Sequence, residues 1–221
     1  MTDLSGFRLL PARNADSISA TATSQINPVI GARIKDEAIR AVIAHGQDPC
    51  KRNQAADHES GHCLVYKATG QQIASTELKQ RKQYGRSVWL GVTYLKVADR
   101  KKILDLTSES GRSLVSIGIG YLSGVAGERA GGSYHPASST DELVLAAATF
   151  EVLGRRIGVS GEVLQRKAEN LVDDFLVRNS RHRRELAALL RDRKRVDGRV
   201  IDAILKDLPI FDFAEALFQD A

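Results

Sequence analysis

Two histidines and a glutamate stand together in the run His58-Glu59-Ser60-Gly61-His62. Residues four apart lie on one face of an α-helix, one turn above the other. His58 and His62 can therefore hold a single metal ion between them. Glu59, on the neighbouring surface, can handle the proton of a water at that ion. This is the mechanical content of the H-E-x-x-H pattern. The ordinary alternative is a pair of surface or core histidines on a helix. Only 5 His occur in 221 residues, so two of them flanking a Glu at this spacing favour the metal. Two imidazoles leave a zinc site incomplete, because a catalytic zinc takes three protein ligands and keeps one open position.

The third ligand must come from a distant part of the chain. The segment Ser138-Ser139-Thr140-Asp141-Glu142-Leu143 reads as a step from loop into helix. Ser139 or Thr140 can cap that helix, and Asp141 and Glu142 fall in its first turn. Acids in a first turn also complement the helix dipole without any metal. His135, in the Gly/Ser-rich loop before them, is a further candidate.

The metal-bearing helix is predicted from about residue 51 to 69, closed by Gly70. Gly61 weakens it, but a missing side chain lets another backbone pack close. Upstream, residues 1–30 are rich in Ser, Ala, Thr and Asn and read as a loose arm. Residues 32–46 read as a helix ended by Gly46. Residues 71–78 and 86–97 are strand candidates, with 79–85 as a polar connection. Helical spacing then recurs over 99–130, 140–157, 160–178, 180–195 and 197–206, with a loop at 131–140. The predicted architecture is mainly α with a small β-sheet. One domain, 31–208, lies between the arm and a short apolar-rich tail, 209–221, which could pack on the body or on another subunit.

A hydrophobic content of 43% suits one globular domain of this length. No apolar run is long enough to cross a bilayer, and the first residues lack a signal pattern. The expectation is a cytoplasmic protein with no membrane anchor. Cys50 and Cys63 lack C-x-x-C spacing and imply no disulfide framework. Cys63 reads as a small buried side chain. The net charge of +5 permits nucleic-acid binding, and the basic residues concentrate in 181–195. There Leu186, Leu189 and Leu190 form an apolar stripe opposite the arginines, the pattern of a solvated amphipathic helix. No aromatic interleaves with this patch, which argues against nucleic acid as the partner. No G-x-x-x-x-G-K-[ST] occurs, so the sequence carries no P-loop ATPase site.

Five pieces, taken in order, resemble the peptidase domain of the FtsH-type zinc metalloproteases. The segment AADHESGHCLV resembles that family's AYHEAGHALV, and GRSVWLGVTYL its G-R-x-x-G-V-T strand. LSGVAGERAGG resembles LGGRAAEELVFG, SSTDELVLAA resembles GASNDLERAT, and RRIGVS resembles EWGMS. A late VDG before IDAIL is similar to the family's closing LDGEEI helix. The resemblance covers about residues 50–206. It implies a helical peptidase fold with zinc on the H-E-x-x-H helix.

In that family the third zinc ligand is the Asp of N-D-L. A gapless register from Glu128 to Ser160 puts Glu142 at that position, and a shift of one residue puts Asp141 there. Glu128 matches a family carboxylate near the site, which implies that it orients a ligand histidine. The resemblance also implies a homo-oligomer, with hexameric rings in the family. The family's membrane anchor and ATPase module have no counterpart in these residues, so a separate ATPase partner is an open expectation.

The expected activity is zinc-dependent, ATP-independent endoproteolysis of unfolded or flexible polypeptides. Zinc would activate a water and polarise the scissile carbonyl, with Glu59 as general base. The substrate would pair with the edge of the strand at 86–96, at Leu90, Gly91, Val92 and Thr93. The alternatives are a catalytically weak regulatory or docking module of the same fold, and a hydrolase of non-peptide amides.

Overall fold

The structure, a computed structural model, describes residues 50–83, 86–96, 109–134 and 139–219, with Leu106 and, upstream, Asp36, Ile39, Arg40 and Ile43. Those four upstream residues are helical, inside the helix expected at 32–46. The expected arm at 1–30 and His135 lie outside the described residues.

The metal-motif helix, α1, spans Arg52–Ala68. It stops where the sequence signals: Gly70 takes a left-handed φ of 78°, a conformation that costs glycine nothing. Two long strands follow, β1 at Ile73–Gln83 and β2 at Arg86–Leu95. They pair antiparallel through a long ladder that runs from Ile73 opposite Leu95 to Gln83 opposite Arg86. The polar stretch expected as the connection is therefore mostly strand. Lys79, Gln80, Arg81 and Lys82 are all exposed, so both faces of this hairpin end are solvated, and the ladder supplies what their modest β-propensity does not.

The remaining helices are α2 (Gly111–Gly131), α3 (Thr140–Ile157), α4 (Gly161–Arg178), α5 (Ser180–Arg193), α6 (Gly198–Ile204) and α7 (Phe213–Phe218). Between α5 and α6 lies β3, Arg195–Asp197, which pairs antiparallel with Ser75–Glu77 of β1. Three residues are too few to leave a period-two pattern, so this strand has no sequence signal. The sheet order is β2-β1-β3, which makes β2 an edge strand among the described residues. The architecture is thus mainly helical with one small antiparallel sheet, as the sequence predicts.

The core forms where α2 packs against α1, α3 and α4. Leu64, Leu114, Ile119, Leu122, Phe150, Leu153 and Leu176 are fully buried there. α1 and α2 cross so closely that a Cβ on Gly61 would lie 2.1 Å from the Ser123 carbonyl oxygen and 3.0 Å from the Gly127 Cα. Only a missing side chain permits that approach, as Gly61 suggested. The C-terminal segment packs on the body. Phe211 N–H donates to the Ala68 carbonyl at 2.9 Å, and Phe213 sits edge-on to Phe175 with ring centroids 5.3 Å apart. No helix among the described residues is long and apolar enough to cross a membrane.

Candidate metal centre

α1 presents His58 and His62 on one face, and their Nε2 atoms lie 3.0 Å apart. Beneath them α2 carries Gly124, where a Cβ would sit 2.3 Å from His58 Nε2 and 2.7 Å from His62 Nε2. The first turn of α3 brings Glu142 to the same point. Its Oε1 is 3.2 Å from His62 Nε2, and its Oε2 is 3.3 Å from His58 Nε2. Asp141, one residue earlier, makes no hydrogen bond or ion pair to either imidazole among the described contacts. Burial and the neighbouring Glu142 carboxylate push Asp141 up to about 6.

The Nδ1 atoms of the two rings point away from this cluster. His58 Nδ1 is 2.7 Å from Glu128 Oε1, which as a carboxylate oxygen can only accept. His62 Nδ1 is 2.8 Å from Ser123 Oγ. With a hydrogen on each Nδ1, both Nε2 atoms present lone pairs to each other and to the Glu142 carboxylate. Glu142 Oε2 is buried and has no hydrogen-bond donor. Three inward-facing acceptors repel unless a cation or a proton joins them. Without an ion, burial alone would lower the His58 pKa, but the Glu142 and Glu128 carboxylates outweigh it and hold the ring well above its ordinary value. Burial would raise the Glu142 pKa, but the His58 and His62 charges and hydrogen bonds outweigh it and drive the carboxyl far below the usual carboxylate range. Two imidazoles and one carboxylate are the donor set of a catalytic zinc site, so these residues fit the ion.

Glu128 is buried and holds more than His58. Gln54 Nε2 donates to its Oε2 at 3.2 Å, and Ser139 Oγ donates to its Oε1 at 2.8 Å. Ser139 occupies the N-cap position of α3, yet its hydroxyl makes no capping bond. One of the two side chains expected to cap the helix is spent on Glu128 instead, tying the element that carries Glu142 to the partner of His58.

Glu59 points to the sheet. It is buried, and Thr93 Oγ1 on β2 donates to its Oε2 at 2.6 Å. A Cβ on Gly91 would lie 2.2 Å from Glu59 Cγ, so glycine there makes room for the carboxyl. Burial raises the Glu59 pKa, and the His62 and His58 charges and the Thr93 hydrogen bond oppose it only in part. The ligand-capable atoms of His58, Glu59 and His62 all lie within 4.8 Å of one another.

On the outer edge of β2, Trp89 N–H donates to the Cys50 carbonyl at 2.9 Å. Main-chain groups alternate in an antiparallel strand, so those of Gly91 and Thr93 face the same outer edge, on which no other described strand pairs. Leu90 and Val92 direct theirs at β1, opposite Lys79 and Glu77. Of the four residues expected to pair with an added strand, Gly91 and Thr93 thus present the backbone.

Three features have no sequence signal. Ser123 against His62 is one, and Ser139 against Glu128 is another. The third is a buried ion pair between Asp57 and Arg183, with Arg183 Nη1 3.0 Å from Asp57 Oδ1. Ser133 Oγ also donates to Asp57 Oδ2, at 2.9 Å. Arg183 lies in the basic run that reads as a solvated helix face, yet it is buried while Leu186 and Leu190 fill the core beside it. Cys63 is fully buried, as expected, and burial pushes its thiol up to about 12.

Comparison with known proteins gives no matching family model and no matching curated sequence.

Proposed function

We propose that this chain is a zinc metalloendopeptidase with an FtsH-type peptidase domain, acting on unfolded or flexible polypeptides. The observation that carries the reading is the meeting of His58 Nε2, His62 Nε2 and the Glu142 carboxylate beside a buried carboxyl, Glu59, at a strand edge that no other described strand covers. His58, His62 and Glu142 would hold the ion. A zinc ion bound there supplies Lewis acidity toward a carbonyl and lowers the pKa of a water.

The protein's own groups supply the rest. The open main-chain groups of Gly91 and Thr93 align an extended peptide as an added strand. Edge pairing reads backbone and not sequence, which supports broad specificity. Glu59, held from one oxygen by Thr93, takes a proton from the attacking water and returns it to the leaving nitrogen. Its raised pKa suits that exchange, because a base must also become an acid within one turnover. A docking module would need the ligand set but not a buried carboxyl at the strand edge, so Glu59 favours the enzyme. Assembly into a ring and cooperation with a separate ATPase remain proposals that rest on the family resemblance.

The test is incubation of the purified chain with unfolded casein, alone, with a chelator, and with zinc restored. Cleavage that the chelator abolishes and zinc restores supports the reading. Absence of cleavage in zinc-loaded protein overturns it.

A further inference from the structure

We propose that Ser123 is a positioning residue for the metal centre: its hydroxyl fixes the tautomer and ring orientation of His62. The inference rests on the metal site proposed above and adds a part that neither the H-E-x-x-H motif nor the family resemblance contains.

A serine hydroxyl has one proton to give. Ser123 Oγ gives it to the Gly120 carbonyl, 2.7 Å away, in a bond back along α2. Toward His62 Nδ1, at 2.8 Å, the same oxygen can only accept. Nδ1 must therefore carry the hydrogen, which leaves the Nε2 lone pair for the ion. Ser123 has no exposure to solvent, so no water stands ready to replace it. The ring is confined on its other sides as well. Tyr66 stacks on His62 with centroids 5.6 Å apart and planes 9° apart, and Gly124 leaves no room beneath it. Ring flipping would put a carbon where the hydroxyl now accepts and lose that bond.

His58 is held differently. Its Nδ1–H donates to the Glu128 carboxylate, which Gln54 and Ser139 fix in turn. One imidazole thus has a charged acceptor and the other a neutral one. Partners of this kind commonly change metal affinity by about 10–100-fold when removed. The neutral acceptor belongs at the lower end.

The competing explanation is that Ser123 only packs, bonding back to its own helix as buried serines do. The two readings separate in Ser123→Ala. A back-bonding serine slightly destabilises a helix and alanine favours it. A packing role therefore leaves zinc affinity unchanged. A positioning role weakens zinc binding about tenfold while the metal-free protein unfolds at the same temperature or higher. The full-length chain is titrated with zinc against a competing chelator, for wild type and variant. In parallel, long-range nitrogen–proton NMR of the metal-free protein, above the titration range of the imidazoles, reads the His62 tautomer.

The expected results are an Nδ1–H tautomer at His62 in wild type, its loss or mixing in Ser123→Ala, and a tenfold weaker zinc constant. An Nε2–H tautomer in wild type overturns the proposal, as does a variant with wild-type zinc affinity. Failure of the wild-type chain to bind zinc overturns the metal-site reading instead, and the tautomer still decides the role of Ser123.

Discussion

Thr93 donates its hydroxyl to Glu59 Oε2 at 2.6 Å, across the gap between β2 and α1. This bond stabilises the charged carboxylate and opposes the upward effect of burial. Thr93→Val keeps the shape and removes the donor. The Glu59 pKa then rises further, so the base stays protonated to higher pH. The acid limb of the pH profile for kcat/KM should move up, with a loss of about tenfold on that limb. An unmoved limb would remove Thr93 from the mechanism.

The two acids at the start of α3 should separate cleanly. Glu142 reaches both Nε2 atoms, and Asp141 reaches neither. Glu142→Ala should weaken zinc binding by orders of magnitude. Asp141→Ala should leave it nearly unchanged and cost only a helix-terminus contribution of about 0.3–1 kcal/mol. Zinc titration of both variants checks this, and the reverse ranking would restore the alternative register.

Protons and zinc should compete for the same atoms. In the metal-free protein the His58 pKa is raised, so its proton stabilises the fold fully below about pH 6.5, the ordinary histidine value. That contribution is lost as pH climbs through the raised value. The Glu142 pKa is depressed, so its contribution holds above the ordinary carboxylate value and is lost as pH falls through the depressed one. The gain in melting temperature on adding zinc should therefore grow as pH rises from acid through neutral. Melting curves with and without zinc across that range read it directly, and a gain that shrinks with pH would contradict the pairing.

Asp57 and Arg183 couple the start of the motif helix to α5 in a buried pair. Removing one partner strands the other charge. Arg183→Met should cost about 3–5 kcal/mol by denaturant unfolding of metal-free protein. Arg191, 3.7 Å from the same carboxylate and partly exposed, moves the expected cost to the lower end. A loss below about 1 kcal/mol would show that Arg191 replaces Arg183.

The parts legible in sequence are those written in short range. Helix α1 lies within a residue of its expected ends, because Gly70 and the apolar spacing are local signals. Helix α3 spans Thr140–Ile157 as its pattern predicts. That Glu128 orients a ligand histidine follows from the family resemblance and not from any local pattern, and only the fold shows that the histidine is His58. Glu142 could not be told from Asp141, because both sit in one helical turn. Only the approach of α3 to α1 decides which of them faces the imidazoles. Ser123, Ser139 and Arg183 were hidden for the same reason. Each reads as an ordinary helix or cap residue until a partner 11 to 126 positions away is brought beside it.

Glu59→Gln removes the proposed base and leaves the metal ligands in place. The amide matches the carboxylate in shape, can still accept from Thr93, and cannot take a proton from water. The variant and wild type are loaded with zinc to equal content and given the same unfolded casein, and new amino termini are counted by mass spectrometry. Zinc content and melting temperature should be unchanged, and cleavage should fall by at least about 100-fold. Cleavage at the wild-type rate by zinc-loaded Glu59→Gln would contradict Glu59 as the base.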